Sequence, residues 1–479
     1  MATISSAGIG SGLDVESIVT KLMAIEKQPL TALQRQASAI DSRISAFGTI
    51  TSQLSALNDS ATALALPATW NSKTVSSSNT AAVSASVSGT GALATSFSLQ
   101  VSQLAQGQSV ASSAVSVGSS FGAGTMSIQL GTWAGATPAF TAGSVAAVSV
   151  TVAQGDNMAT IAGKINSAGA GVTATVIKDL SGERILMRST ATGEASGFRI
   201  QTTDGTGATG RSLAALAFDN ASAGVGMAAN AVQYGLNARA TINGVAIASA
   251  SNTLADTVPG MTLTLSQVTT VPVEIAVSND TGSQTTVVNA FVKAYNAMNE
   301  MFNAATKYDS TTKTGALLQG DSTTTGLQTA MRTLIGAVSG GGALQRLSDL
   351  GISIAKDGAG DLAIDSTKLA KALKDPVGVG AFFSSAVGKS DSTTGFATRM
   401  RTFLMGAIGS AGILATKTTS LQSQKTSNGK DQNRLSDRLT TVEANMRKQY
   451  SALDTKMSSL TALNSYITQQ IAQWNKVSG

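Results

Sequence analysis

The 479-residue sequence contains no cysteine and no histidine. Without cysteine, the chain can form no disulfide and offers no thiolate as a nucleophile or a metal ligand. Without histidine, it cannot build a Ser-His-Asp or Cys-His catalytic centre or the usual histidine-based zinc site. These absences remove common catalytic and metal chemistries. We therefore predict no catalytic, cofactor-binding or metal-binding residues and a protein that is not an enzyme.

Charged and aromatic side chains are also scarce, at 13% and 4% of the residues, whereas alanine, serine, threonine and glycine dominate. This composition resembles that of bacterial extracellular surface proteins. The net charge of +6 is concentrated in residues 413–479, which hold nine Lys and Arg against four Asp and Glu. These basic residues are spread around a predicted helix with few aromatics between them. They indicate a solvated helix face, and we predict no nucleic-acid partner.

Long hydrophobic runs are absent as well. No stretch of about 18 consecutive apolar residues occurs, so we predict no membrane insertion. Residues 1–10 have neither the basic region nor the apolar region of a secretory signal peptide. A surface-type composition without a cleavable signal leaves two options: a cytoplasmic protein, or export by a route that reads an uncleaved N-terminus.

The strongest pattern that is present lies in residues 435–474. Apolar residues recur there every seven positions, at Leu439, Met446, Leu453, Leu460, Ile467 and Trp474. A companion row slips by one residue between its early and late members, which are Leu435, Val442, Tyr450, Met457, Asn464 and Ile471. The two rows predict the apolar seam of a coiled-coil helix about 60 Å long at ~1.5 Å per residue. Such a helix needs a partner helix or a second copy of the chain to bury its seam.

The N-terminal region has a matching pattern. Leu33, Ile40 and Phe47 are seven residues apart, so both ends of the chain are predicted to contribute to a coiled-coil assembly interface. Upstream, Asp14 is placed to cap a first helix, which Pro29 should bend or end. This arrangement predicts a subunit whose termini pair with each other and assemble with copies of the chain.

A glycine-rich motif precedes the first helix and contains Gly8, Gly10, Gly12, Leu13 and Asp14. Closely spaced glycines before a helix can cradle a phosphate. The motif lacks a preceding strand and a Gly-Lys-Ser/Thr sequence, which a phosphate-binding loop would need. We therefore interpret it as a flexible end that becomes ordered on assembly.

Between the terminal helices, residues 74–280 are predicted to be β-rich. Short runs of alternating apolar residues, separated by Gly and Ser, are typical of sandwich or barrel modules. A short helix is predicted at 158–165. Helical periodicity returns at Thr285, and 351–369 reads as a hairpin followed by a helix. The predicted fold class is multidomain α+β, with terminal helices forming a coiled-coil leg, a helical-bundle domain, and inserted β-rich sandwich-like or barrel-like domains.

Several of these segments carry a resemblance to one family. Residues 4–14 are similar to the N-terminal signature of the FliD family of flagellar hook-associated protein 2, the filament caps. Residues 100–106, 259–265 and 317–321 are similar to further family segments. The resemblance runs from end to end of the chain and is weakest at 107–150 and 203–232.

This resemblance implies a protein that is exported unfolded through the flagellar type III route and forms a ring at the distal tip of the filament. It implies legs that insert between filament subunits, and a cap that retains exported flagellin and promotes its folding and polymerisation. The implied partners are flagellin, further copies of the chain and an export chaperone before secretion. Host surface glycans would be a further partner if the uncharged β-modules also act as an adhesin, which is compatible with capping. A pentameric ring is implied, with tetramers and hexamers open.

The domain boundaries expected from the resemblance divide the chain into seven segments. They are a leg helix at 1–42, a helical domain at 43–73 and 283–412, a β-domain at 74–117 and 233–282, a distal β-domain at 118–232, and a coiled-coil leg at 413–479. Two other classes of protein remain open. A filament or hook-junction subunit would form long filaments instead of a closed ring, and a secreted adhesin would bind glycans through its β-modules.

Overall fold

The structure is a computed structural model that describes residues 14–89, 91–219, 226–339, 342–356, 358–386 and 393–477. Most of the glycine-rich motif, Gly8 to Leu13, lies outside these residues. The chain divides into two compact units. The helical unit comprises Met1–Trp70 and Thr281–Gly479, and the β unit comprises Asn71–Asp280.

The α-helices in chain order are α1 (Val15–Glu26), α2 (Gln28–Ala65), α3 (Pro67–Asn71), α4 (Met158–Ser167), α5 (Thr281–Thr306), α6 (Ser322–Gly336), α7 (Ser366–Ala372), α8 (Pro376–Ser384), α9 (Phe396–Ile408) and α10 (Ile413–Val477). None of the helices in the described ranges combines the length and hydropathy needed to cross a bilayer.

The strands are β1 (Lys73–Ser77), β2 (Val83–Val87), β3 (Thr95–Gln103), β4 (Ser109–Ala111), β5 (Gly124–Ala134), β6 (Ala139–Ala142), β7 (Val148–Val152), β8 (Val172–Asp179), β9 (Gly182–Ser189), β10 (Gly197–Asp204), β11 (Ala238–Ile242), β12 (Val245–Ser249), β13 (Thr253–Ala255), β14 (Met261–Leu265), β15 (Val273–Asn279), β16 (Tyr308–Asp309), β17 (Thr314–Gly315), β18 (Ile352–Ile354) and β19 (Leu362–Ile364). Together with the helices, they confirm the predicted multidomain α+β class.

The helical unit is built around α2, which packs against α5, α9 and α10. The helical periodicity expected from Thr285 onward is confirmed, because Phe291, Tyr295 and Phe302 form a buried stripe on α5 and are each about 1% exposed or less. In α3, directly after α2 in the chain, the Trp70 ring stacks on Phe383 of α8 with 5.0 Å between ring centroids. The Trp70 indole N–H donates to the carbonyl of Leu64 at 2.8 Å, so this large side chain is buried without an unsatisfied donor.

The β unit contains two hydrophobic cores. One core includes Leu99 and Ile275 and lies with the five-stranded sheet β1-β15-β3-β11-β12 and the three-stranded sheet β13-β14-β2. The other includes Ile128 and Phe198 and lies with α4, the sheet β10-β5-β6 and the sheet β4-β9-β8, with β7 also paired to β5. The named strand pairs are antiparallel, and their alternating burial follows the alternation read from the sequence.

The chain enters and leaves the β unit side by side. β1 pairs antiparallel with β15, with Lys73 opposite Asn279, and the Lys73 ammonium donates to the Asn279 side-chain carbonyl at 2.8 Å. The β unit is therefore an insertion whose two ends are tied together. Lys73 and Asn279 are 206 positions apart in the chain.

The break expected at Pro29 is confirmed, since α1 ends at Glu26 and Pro29 lies in the first turn of α2. Proline is tolerated there because first-turn N–H groups have no intrahelical acceptor. α10 begins at Ile413, the first residue of the expected leg segment 413–479, and so extends well ahead of the seam that was read from Leu435. Leu414 and Leu421 are buried in the helical core, and this packing supports the polar segment that precedes Leu435.

Candidate assembly interface

The two ends of the chain pair along one another. α1 and α2 run antiparallel to α10, because successively later residues of the N-terminal helices meet successively earlier residues of α10. Arg447 Nη2 donates to Glu16 Oε1 at 2.9 Å. Asn428 Nδ2 donates to Gln36 Oε1 at 3.1 Å. The third link is an ion pair between Lys425 and Asp41 at 2.6 Å.

A small apolar cluster joins α1 to α10. Val15, Val19 and Met23 lie on one face of α1 and bury Leu439 of α10 to 5% exposure. Asp14 sets the start of α1, since its carboxylate accepts from the Ser17 backbone N–H at 2.9 Å. The predicted capping role of Asp14 is therefore confirmed, and the cap brings the apolar face of α1 to its partner.

Charged groups flank this cluster. The Arg447 guanidinium donates to Glu16 and also pairs with Glu443 at 3.0 Å. The hydrogen bond from Arg447 holds the pKa of the Glu16 carboxyl below its ordinary value, and the two carboxylates raise the pKa of Arg447. All three side chains are substantially exposed. The pairs therefore add little stability but favour one register of α1 on α10.

A second anchor lies near the start of α10. Lys417 Nζ is 2.7 Å from Asp321 Oδ2 and 5.7 Å from the centroid of the Phe47 ring. Asp321 also accepts from the Thr324 backbone N–H at 3.0 Å and so caps α6. Burial raises the pKa of the Asp321 carboxyl, but the hydrogen bonds from Lys417 and Thr324 outweigh it and the pKa is lowered. Lys417 thereby connects α10 to both α2 and α6.

The predicted interface residues fall into two groups. Ile40, Phe47 and Leu439 are buried, and Leu33 and Met446 are half-buried. The remaining four are exposed: Leu453 by 45%, Leu460 by 58%, Ile467 by 46% and Trp474 by 78%. The structure therefore brings the first group into the packing of one chain and leaves the second group on the surface.

Asn428 is a buried polar residue of this pairing that was not predicted from the sequence. It is 5% exposed, donates to Gln36 and accepts from Gln432 at 2.6 Å. A signal was available: Leu414, Leu421, Asn428, Leu435 and Val442 are seven residues apart, so the companion row extends further back than we traced it. A single buried Asn in such a row is a device that specifies helix register.

Lys417 and Asp321 were also missed, as was the contact of Glu16 with Arg447. These pairs had no comparable signal, because no local pattern connects residues so far apart in the chain.

Family models match three parts of the chain. The model for the flagellar hook-associated protein 2 C-terminus matches residues 235–462, and the model for its N-terminus matches residues 11–108. A flagellin hook IN motif matches residues 139–191. The first two models cover most of the terminal helices described above.

Relatives of similar length extend this likeness. The flagellar hook-associated protein 2 of Escherichia coli K12 is 31% identical over 480 residues, covering 98% of each chain. The B-type flagellar hook-associated protein 2 of Pseudomonas aeruginosa PAO1 is 31% identical over 483 residues, covering 98% of this chain and 97% of that protein. The crystal structure of the D1-D2-D3 domains of the E. coli flagellar cap protein FliD matches with a TM-score of 0.59 and 28% identity, covering 79% of this chain and 99% of that one.

Proposed function

This chain belongs to the flagellar hook-associated protein 2 family and is a flagellar filament cap, and we propose how its terminal helices serve that role. As a cap it is exported, stands at the distal tip of the filament, associates with flagellin and oligomerises. The alternatives of a filament or hook-junction subunit and of an adhesin alone are not favoured.

The proposed mechanism is supported by the exposed apolar residues at the C-terminal end of α10. Leu453, Leu460 and Ile467 keep the heptad spacing of the covered part of the helix, yet each is about half exposed. We assign this surface to the contact between the cap and flagellin in the filament. A cap that moves on after each added subunit needs contacts that are specific but weak. A single seam with a polar interruption at Asn464 fits that requirement.

The test is to replace Leu453 and Leu460 together with alanine. Both side chains are exposed, so the monomer should fold and unfold like the wild type. Filament growth should stop in cells that carry only this variant, as judged by electron microscopy of flagella. Ser459→Ala with Thr461→Ala, on the same helical turns, is the matched control and should leave growth unchanged. Normal filaments from the double leucine variant would disprove the role of the seam.

Electron microscopy of purified protein mixed with filaments tests the capping position itself. We expect density at one filament end, none along the sides, and no filaments formed by the chain alone. Side decoration or self-assembled filaments would instead indicate a structural subunit.

Finer features of the cap follow from the family resemblance. We propose a pentameric ring, an export chaperone bound before secretion, and no enzymatic activity, the last supported by the lack of His and Cys. Native mass spectrometry of the assembled ring would count its subunits directly. The segment boundaries given above stand as our proposal for the parts of the cap, as does the role of Gly8, Gly10, Gly12 and Leu13 in assembly.

Binding to host glycans is a second proposal, and one cluster in the β unit favours it. Trp133 lies 5.1 Å from Phe140 and 6.2 Å from Tyr234, measured between ring centroids. The Arg199 guanidinium lies 4.9 Å from the centroid of Phe140 and donates to Gln129 at 2.9 Å. Half-buried rings beside polar groups offer an apolar face together with hydrogen bonds, which suits a sugar ring.

Glycan-array binding tests this cluster with Phe140→Ala, whose ring is only half-buried. Loss of a wild-type glycan signal on this substitution would support the assignment. Unchanged binding, or no signal from the wild type, would reject it.

A further inference from the structure

β7 is an open edge of its sheet. It pairs with β5 on one side, and no strand in the part of the chain that the structure describes pairs with its other side. The opposite edge of the same sheet is closed, because the Ile200 N–H of β10 donates to the carbonyl of Phe218 at 2.8 Å and the Phe218 N–H donates back to the carbonyl of Ile200 at 2.8 Å. The chain therefore covers one edge of this sheet at that position and leaves β7 uncovered.

The register shows which backbone groups of β7 point away from the sheet. The Gly205 N–H, just after β10, donates to the carbonyl of Ala123, just before β5, at 2.7 Å. Odd-numbered positions along β5 therefore bond toward β10 and even-numbered positions toward β7, since the bonding groups of successive residues alternate between the two sides of a strand. Even-numbered residues of β5 lie opposite even-numbered residues of β7. The N–H and C=O groups of Ser149 and Thr151 therefore face the open edge.

β7 also lacks the features that protect exposed edges. Its sequence, Val-Ser-Val-Thr-Val, contains no charged residue and no proline, and its pairing with β5 runs through five consecutive positions without a bulge. Charged side chains, prolines and bulges are the usual means by which proteins keep an edge from pairing with another chain. An edge without them is a template for one further strand.

A groove of about 520 Å³ lies along this edge. Its wall opposite the β7 edge is formed by residues of α4, among them Thr160, Gly163, Lys164 and Ser167. Glycine is unfavourable inside a helix, yet a Cβ atom at Gly163 would have no heavy atom within 4 Å, so packing within the chain does not require it. The missing side chain widens the groove. The ammonium of Lys164 bonds to Asp156, so the groove presents no unpaired charge.

We propose that the open edge of β7 binds an extended, uncharged segment of flagellin as an added strand before flagellin folds. This inference rests on the association of the cap with flagellin and is independent of the exposed apolar residues of α10. A chain that has not folded still has free backbone N–H and C=O groups, and Ser149 and Thr151 offer it four hydrogen bonds. Once folded, a chain has paired its backbone groups internally and should bind this edge much more weakly.

Hydrogen exchange read residue by residue tests the contact. Flagellin unfolded in denaturant is diluted into the full-length protein, and natively folded flagellin serves as the parallel sample. With unfolded flagellin, exchange at Ser149 and Thr151 should slow about tenfold or more, because their N–H groups become hydrogen-bonded. Exchange at Val150, whose N–H is already bonded to β5, should change little. Unchanged exchange at both outward amides would overturn the proposal.

A proline on the open edge provides an independent test. Thr151→Pro removes one outward donor and places a ring against any added strand, while the bonds of β7 to β5 remain. Binding of unfolded flagellin, measured by fluorescence anisotropy, should weaken about tenfold or more. Ala246→Pro is the matched control and should bind like the wild type. The Asn243 N–H donates to the carbonyl of Ser98 in β3 at 2.9 Å, and the register of β11 on β12 then places the N–H of Ala246 on the outer edge of a different sheet.

Gly163→Leu blocks the groove from its other wall and leaves every backbone group of β7 in place, so it tests the proposal even if the proline variant does not fold. The added Cβ has no heavy atom within 4 Å, and leucine is the better helix former, so the variant should be at least as stable as the wild type. Its affinity for unfolded flagellin should again fall about tenfold or more. Gly429→Leu is the matched control and should bind normally, because Gly429 is also inside a helix with no atom within 4 Å of an added Cβ and does not line the groove.

Wild-type affinity in both Thr151→Pro and Gly163→Leu would overturn the proposal. So would protection of Ser149 and Thr151 when the protein is concentrated without flagellin, since the edge would then belong to a second copy of the chain. The double variant Leu453→Ala with Leu460→Ala, which tests the contact of α10 through filament growth, should bind unfolded flagellin like the wild type. The two proposals can therefore fail separately.

Discussion

The first and second halves of α10 share a heptad spacing but differ in what covers them. Up to about Tyr450, α10 packs on α2 and α1, and Leu414, Leu421 and Leu439 are buried. From Leu453 onward, the large apolar side chains are between 38% and 78% exposed. The periodicity is the same in both halves, so the difference comes from how far the N-terminal helices extend beside α10. One half stabilises the fold of the chain, and the other is available to a different chain.

The largest loss of stability should come from a substitution in the packing that covers the first half of α10. Phe47→Ala removes a fully buried ring beneath Lys417 and should lower the free energy of unfolding by about 3–5 kcal/mol. Leu460→Ala, in the exposed half, should change it by less than about 0.5 kcal/mol. Urea denaturation followed by circular dichroism measures both. Equal losses for the two variants would contradict the comparison.

A smaller effect is expected at the anchor of α10. Asp321→Ala removes both the cap of α6 and the partner of Lys417. It should lower the free energy of unfolding by about 2 kcal/mol. Asp321→Asn keeps a capping oxygen and loses only the charge, so it should cost about 1 kcal/mol. Thermal unfolding of the two variants separates the cap from the ion pair. If the Asn variant were as unstable as the Ala variant, the cap would contribute nothing.

Asn428 should affect register more than stability. In Asn428→Leu, the hydrogen bonds to Gln36 and Gln432 are lost, but these partners are accessible to water. The free energy of unfolding should therefore change by about 1 kcal/mol or less in either direction. The pairing of α2 with α10 should become less selective, which double electron–electron resonance between labels on the two helices would show as a broader distance distribution. An unchanged distribution would remove Asn428 as the register determinant.

The smallest effect concerns Glu16 and pH. Its pKa in the folded chain is below the ordinary value of 4.5. The stability it contributes is therefore fully present above pH 4.5 and is lost as the pH falls through the folded value. The protection factors of the α1 amides, corrected for the intrinsic pH dependence of exchange, should fall over that range while those in the core of α2 do not. Arg447→Gln should remove this dependence, and high salt should weaken it.

Much of the fold was predictable because its signals are local. The buried stripe of α5, the helix at Met158–Ser167 and the hairpin formed by Ile352–Ile354 and Leu362–Ile364 all follow from spacing within short segments. The pairing that closes the β unit was harder to predict. β1 and β15 carry ordinary strand signals, and the sequence of neither strand indicates that the two pair. The contacts of Glu16 with Arg447 and of Asp321 with Lys417 could not be predicted either, because no local sequence pattern connects these distant residues.

The sequence by itself determined that both ends of the chain are helical and carry an apolar seam, since heptad spacing is a property of neighbouring residues on one helix. Only the tertiary structure decided which part of the seam is buried. That outcome depends on where Asp14 starts α1 and on the register in which Gln36, Asp41 and Glu16 meet α10. Contacts between residues some 400 positions apart set this register, and no local pattern encodes them.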